Sequence, residues 1–185
     1  LTVGCKTTVK DLLYGLLISS YNDCAVILSE LVSGRKSAFV EAMNTRAKEL
    51  GATNTHYKNP HGLHDDGHYT TAYDLYLIFK EFTSHDLAYV IDSTSSYTFQ
   101  YKDPSGNSCS EELEPTNGFM TGEYQLPSGF SIGSWKSGTT MQAGHCLIVE
   151  FVNNSTGDKF FAVCAGNVDR DALYGHITDL IKTSK

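Results

Sequence analysis

Trp135-Lys136-Ser137-Gly138-Thr139-Thr140 sets an ammonium, a hydroxyl and a glycine side by side at the end of a predicted strand. Strand alternation sends Lys136 and Gly138 to one face. A glycine there lets a ligand or a second backbone approach closely, and the Thr139 N–H stays available as a donor. Such an edge can hold a carboxylate or an oxyanion, although the tripeptide alone reads first as a turn closing a strand. Ser20-Tyr21-Asn22 is the second group, a hydroxyl and a carboxamide on a short connection between apolar stretches. Ordinary helix capping accounts for it equally well. His61, His64 and His68 with Asp65 and Asp66 are the ligand types zinc uses. They lie in a Gly-containing loop rather than on a helix face, so nothing aims three imidazoles at one point. The expectation is a solvated loop beside a cleft, with no metal and no cofactor.

These residues need elements to hold them. Val9, Leu12, Leu13, Leu16 and Leu17 form the apolar stripe of a helix, with Thr7 or Thr8 as its N-cap. A second apolar stretch, Cys24 to Leu31, follows the polar Ser19 to Asp23, so Ser20 to Asp23 sit on a tight helix-to-helix connection. Ser37 can cap a third helix carrying Phe39, Val40, Met43, Ala47 and Leu50, with Gly51 at its left-handed C-terminal end. Residues 53–69 lack periodicity and read as a long loop of the kind that is usually functional. Thr71 to Asp74 resembles a capping box and starts a helix through Leu75, Ile78 and Phe82. After Asp92 the pattern changes: Tyr97, Phe99 and Tyr101 alternate as in a half-buried strand. Phe130 to Lys136, His145 to Asn153 and Lys159 to Gly166 follow as strands, the last two joined by a turn into an antiparallel hairpin. Leu173, Ile177, Leu180 and Ile181 close the chain as a helix capped by Asp169 or Asp171. Helices, then an antiparallel sheet, then a covering helix read as α+β, in one domain spanning residues 1–185.

Four stretches together resemble the penicillin-recognising serine D-alanyl-D-alanine carboxypeptidases, the low-molecular-mass penicillin-binding proteins. They are Thr8 to Leu17 leading into Ser20-Tyr21-Asn22-Asp23, then Asn59-Pro60-His61-Gly62-Leu63, Tyr69 to Leu75, and Trp135 to Thr140. The active-site set of that superfamily is Ser-x-x-Lys, then Ser-x-Asn, then Lys-Thr/Ser-Gly. The resemblance covers nearly the whole chain. It implies a β-lactamase/DD-peptidase-like fold, an antiparallel sheet flanked by helices. It also implies that the N-terminal strands and the nucleophile helix are missing, so that core surface is exposed and this chain alone is inactive and takes no penicillin adduct. Ser33-Gly34-Arg35-Lys36 satisfies Ser-x-x-Lys but follows Ser20-Tyr21-Asn22 and lies in a break between helices. The chemistry needs the serine on the first turn of a buried helix with lysine one turn later. Thr7-Thr8-Val9-Lys10 fails similarly, its threonine being a cap. Ser137 stands where many relatives carry threonine and keeps the hydroxyl. The family's arginine near the last strand has no counterpart beyond Arg170, to which that role is not carried over.

The resemblance further implies attack of a serine, upstream of Leu1, on the bond between two D-alanines of a peptidoglycan pentapeptide, giving an acyl-enzyme that water hydrolyses. In that scheme Ser20 relays a proton toward the leaving amine, Asn22 holds the substrate's amide, and Lys136 supplies positive charge. Ser137 bonds the terminal carboxylate, Gly138 admits it, and the Thr139 N–H forms half of an oxyanion hole. β-Lactams are expected as ligands of the same site. The location implied is bacterial and extracytoplasmic, with signal and membrane anchor outside this chain.

Composition sets bounds on these readings. Leu, Ile, Val and Phe make up 44 of 185 residues, above the fraction typical of disordered chains. A net charge of −7 without a basic cluster argues against nucleic-acid partners. The longest apolar run, Leu12 to Ile18, is far short of the ~20 residues of a membrane span. Five cysteines without a Cys-x-x-Cys pair argue against a zinc knuckle or a thioredoxin-like redox site, and the odd count leaves at least one thiol free. They read as small structural hydrophobes. The alternative function is a non-catalytic, cell-wall-binding pseudoenzyme of the same fold. The joint presence of Ser20, Asn22, Lys136 and Ser137 argues against it. A β-lactamase is disfavoured because the stretches around Asn59 and Thr70 resemble the carboxypeptidase branch.

Overall fold

In the computed structural model, which describes residues 1–184, a short strand β1 (Lys6–Thr7) leads into helix α1 (Val9–Leu17). Thr8 is the N-cap, its hydroxyl accepting from the Asp11 N–H at 3.0 Å. Buried Asp11 then receives the Tyr97 hydroxyl at 3.0 Å and the Gln100 N–H at 3.1 Å, tying α1 to strand β2 (Tyr97–Lys102). Helix α2 (Asn22–Ser33) packs closely on α1 because Gly15 has no side chain: a Cβ there would come 2.9 Å from Cys24 Sγ. Ser33 ends α2, Gly34 turns left-handed, and Lys36 opens α3 (Lys36–Glu49), so Ser33 and Lys36 share no helical turn.

Helix α3 begins two residues before the sequence places it. Arg35 occupies the N-cap position without a side-chain bond, and Ser37 lies inside the first turn. Helix α4 (Ala72–Phe82) has the Thr71 cap, accepting from the Asp74 N–H at 3.1 Å, but no reciprocal capping box. The Asp74 carboxylate instead takes the Asn54 N–H at 2.7 Å and the Thr55 hydroxyl at 2.8 Å, anchoring the long loop. Helix α5 (Asp86–Asp92) has no counterpart in the sequence reading: it spans seven residues and lacks a side-chain cap.

Two sheets, not one, complete the architecture. Strands β1, β2 and β3 (Ser108–Leu113) form a small antiparallel sheet. Strands β4 (Phe130–Thr140), β5 (Gly144–Asn153) and β6 (Lys159–Asn167) form the larger one in that order, with β4 at one edge. The β5–β6 hairpin pairs antiparallel as expected. Strand β4 runs through Lys136-Ser137-Gly138 rather than ending there, because Gly138 and Thr139 stay in register with Cys146 and His145. Helix α6 (Arg170–Thr183) covers this sheet, started by Asp169, whose carboxylate accepts from the Ala172 N–H at 2.7 Å.

Two apolar clusters result. Trp135, Leu147, Val149, Phe151, Leu173, Tyr174, Ile177 and Ile181 fill the space between the large sheet and α6. Leu12, Ile18, Cys24, Ile91, Phe99 and Leu113 join the helices to the small sheet. All five cysteines are free thiols, but Cys24 alone is buried, so the reading of them as small buried hydrophobes fits that one residue and not the other four. No helix among the described residues is long and apolar enough to cross a membrane.

Candidate active site

The connection from α1 to α2 creates the first half of the site. After Ile18 the chain must reverse within three residues, and Ser20 does so at φ +58°, the sole non-glycine residue with positive φ among those described. The Tyr21 N–H then bonds the Gly15 carbonyl at 3.0 Å, closing the turn. Holding a residue with a Cβ in this region costs roughly 1–2 kcal/mol. Here that conformation aims the Ser20 hydroxyl away from α1 and toward β4.

The second half is β4. Lys136 Nζ donates to Ser20 Oγ at 2.8 Å and to the Ser137 carbonyl at 2.7 Å, across 116 positions of sequence in the first case. Burial pushes this ammonium down to about 8, against which the charge of Asp92 acts. Ser137 Oγ lies 2.6 Å from Thr116 Oγ1, and Thr139 Oγ1 lies 3.1 Å from His145 Nδ1. Gly138 is exposed, and a Cβ added there would meet nothing within 4 Å.

Between these halves lies a cavity of about 630 Å³. Ser20, Asn22, Lys136, Ser137, Gly138 and Thr139 all line it, so the structure brings together these six residues of the Ser-x-Asn and Lys-Ser-Gly stretches. The opposite wall is the loop through Tyr57, Asn59, His61 and His68. Its shape is set locally. Asn59 accepts from the Gly62 N–H at 2.7 Å and donates to the Leu63 carbonyl at 2.8 Å, while Asn44 of α3 bonds both backbone groups of Tyr57. Burial lowers the pKa of both His61 and His68 below the ordinary histidine value. His64 pairs with Asp66 outside this wall. Among the described residues no three His, Cys, Asp or Glu side chains are grouped to hold a metal ion.

Thr116 and His145 line the cavity although the sequence does not mark them for it, and Arg170, to which no role is carried over, lines it as well. Thr116 comes from an irregular segment after β3, and its N–H reaches the Ile18 carbonyl at 3.3 Å. His145 is placed by its register opposite Thr139. Arg170, at the start of α6, is ion-paired with Glu123 on one side and borders the cavity on the other. Only in Arg170 was there a signal, its position shortly after the last strand. The lining holds the cations Lys136 and Arg170 and no carboxylate, in a chain of net charge −7. Such a pocket concentrates an anionic ligand against the sign of the whole molecule.

Elements in this order around such a cavity define a fold of the DD-peptidase and β-lactamase type. The solved DD-transpeptidase of a Streptomyces strain superposes with a TM-score of 0.87 at 25% identity, covering 98% of this chain and 69% of that one. Residues 1–164 match the D-alanyl-D-alanine carboxypeptidase family, and the chain belongs to it. D-alanyl-D-alanine carboxypeptidase DacF of Bacillus subtilis is 42% identical over 100 residues, 54% of this chain and 24% of its own length. DacC of Escherichia coli is 32% identical over 148 residues, 78% of this chain and 33% of its own length. The chain thus spans a third or less of these two relatives.

Proposed function

We propose that this chain supplies the Ser20-Tyr21-Asn22 and Lys136-Ser137-Gly138 portions of a serine-type D-Ala-D-Ala carboxypeptidase site, acting on peptidoglycan stem peptides outside the cytoplasmic membrane. The observation that carries the reading is the 2.8 Å contact between Lys136 Nζ and Ser20 Oγ at the head of a cavity lined by cations and hydroxyls. The nucleophilic serine, with its lysine, comes from a Ser-x-x-Lys segment outside these 185 residues.

In this scheme the serine oxygen bonds the penultimate D-alanine carbonyl carbon, and the C–N bond to the terminal D-alanine breaks. The proton passes through Ser20 to the leaving amine. Lys136 beside Ser20 keeps that hydroxyl polarised and holds positive charge near the leaving group. Asn22 faces the substrate amide. Ser137, with Thr116 against its hydroxyl, receives the terminal carboxylate, and Arg170 adds charge at the cavity rim. The Thr139 N–H stabilises the developing oxyanion, a donor whose loss typically costs ~2.7 to 4 kcal/mol. A β-lactam carries the same carbonyl and carboxylate and so enters the same cavity.

Intact mass spectrometry after incubation with benzylpenicillin tests this. The longer protein that includes the upstream segment should gain one penicillin mass and release D-alanine from a pentapeptide, while the 185-residue chain should do neither. An adduct on the 185-residue chain would refute an external nucleophile. Absence of both adduct and D-alanine release in the longer protein would favour a pseudoenzyme that binds cell wall. Rapid turnover of a chromogenic β-lactam would favour a β-lactamase.

A further inference from the structure

The binding edge of β4 has a fixed starting point. From Trp135 opposite Val149 to Thr140 opposite Gly144 the register with β5 is unbroken. In an antiparallel pair successive residues turn their N–H groups alternately toward the partner and away, so Trp135, Ser137 and Thr139 share one orientation. The Trp135 N–H donates to Asp92 Oδ2 at 3.2 Å, not to β5, which places all three donors on the free edge. The first donor of the row is therefore taken by a carboxylate, and the next two face the cavity. The same tryptophan's Nε1–H donates to the Asp92 backbone carbonyl at 3.0 Å. Immediately before it the β4–β5 register shifts, between Ile132 and Trp135.

Asp92 closes α5 at 0% exposure; its Oδ1 and the Ser134 Oγ make no hydrogen bond of good geometry among the described residues, although the Ser134 hydroxyl is near enough to favour the ionised carboxyl. Burying an incompletely bonded carboxylate is expensive, and a neutral acceptor would satisfy the Trp135 N–H as well. Asp92 makes no ion pair or hydrogen bond with Lys136, yet the two charges favour each other. Lys136 is the charged side chain that acts on Asp92, and Asp92 the one that acts on Lys136. On α1, packed beside α5, Asp11 is occupied by Thr8, Tyr97 and Gln100, and Lys10 lies over the Tyr14 and Tyr97 rings.

We propose that Asp92 is a positioning residue for this edge: gripping Trp135 by backbone and indole, it sets the phase in which Lys136, Ser137 and Thr139 meet a ligand, and its charge holds the Lys136 ammonium. The functional weight of this inference rests on the site reading above, but its test reads Lys136 directly and needs no turnover.

The test is a ¹³C-lysine NMR titration of Lys136 in the 185-residue chain and in D92N, which keeps an acceptor for the Trp135 N–H and removes the charge. The Lys136 midpoint should fall by about one pH unit in D92N, the size of effect one close opposite charge produces. W135F, which loses the indole donor and keeps the charge, should be less stable with the midpoint unmoved. A folded D92N with an unmoved midpoint overturns the proposal. If the midpoint moves while the longer protein takes no penicillin, the positioning role stands and the carboxypeptidase reading falls.

Discussion

Two contributions are superimposed at Ser20, and a pair of substitutions separates them. The residue holds φ at +58°, which costs roughly 1–2 kcal/mol for a side chain with a Cβ. Its hydroxyl also accepts from Lys136 Nζ at 2.8 Å, and hydrogen bonds to charged groups are worth about 1.5–3 kcal/mol. Ser20→Ala loses the bond and keeps the strain, so it should be destabilised by about 1.5–3 kcal/mol. Ser20→Gly loses the bond but relieves the strain, offset by about 0.5–1 kcal/mol for glycine's extra freedom when unfolded. The glycine variant should therefore be the more stable of the two by roughly 0.5–1 kcal/mol. In a chain of this size that is a difference of about 1–4 °C in Tm. The effect is also tied to pH. The Lys136 pKa is lowered from 10.5 to about 8, so between those values the unfolded chain holds a proton that the folded chain has released. Folded stability consequently rises with pH across that window. There the Lys136–Ser20 bond becomes a neutral one worth about 0.5–1.5 kcal/mol, and the gap between parent and Ser20→Ala should roughly halve. Urea denaturation followed by circular dichroism near pH 7 and at about pH 9.5 measures both quantities. An alanine variant at least as stable as the glycine variant, or a gap that does not narrow at high pH, refutes the reasoning.

Gly138→Ala should leave stability within about 0.5 kcal/mol of the parent, because its methyl enters open space, yet it should abolish penicillin acylation of the longer protein by blocking the edge. Gly133→Ala should do the reverse: its Cβ overlaps Glu150 Oε1, which pairs with Lys159 at 3.0 Å, and thermal melting should show a loss of about 1–3 kcal/mol. Thr116→Val removes the partner of Ser137 Oγ and should cost about 1 kcal/mol, with a larger fractional loss in the second-order acylation rate than in folding. Burial raises the Asp92 pKa from 3.8 to about 7, so the folded chain holds a proton that the unfolded one releases. Stability should fall as pH rises through that window, by about 4 kcal/mol at most, and D92N should flatten the slope in denaturant titrations. Zinc should not raise the melting temperature, because His61 and His68 line the cavity wall while His64 is paired with Asp66. A rise of several degrees reversed by chelator would restore the metal reading.

Local rules were sufficient wherever one short segment satisfies its own backbone. Thr8, Thr71 and Asp169 cap helices as their side chains and apolar periodicity require, and Gly34 and Gly51 turn left-handed where α2 and α3 end. The order of Ser20-Tyr21-Asn22, Asn59 to Leu63 and Lys136-Ser137-Gly138 is likewise visible in the sequence, and it carried the family assignment. Tertiary contacts alone decided the rest. Helix α5 has seven residues and no cap, so it persists through Ala88 and Ile91 buried in the core. Strand β3 shows no clean alternation and forms because β2 pairs with all six of its residues. Lys136-Ser137-Gly138 has weak strand propensity, and β5 holds it extended. Thr116, His145 and Asp92 have no local signature that marks them, and Arg170 has only its position shortly after the last strand. The site is assembled through distant bonds such as Asp92 to Trp135, 43 positions apart, and Lys136 to Ser20, 116 apart. Propensity and periodicity act over a few residues, whereas the phase of an edge strand and the charge beside a buried lysine depend on which distant segments pack together.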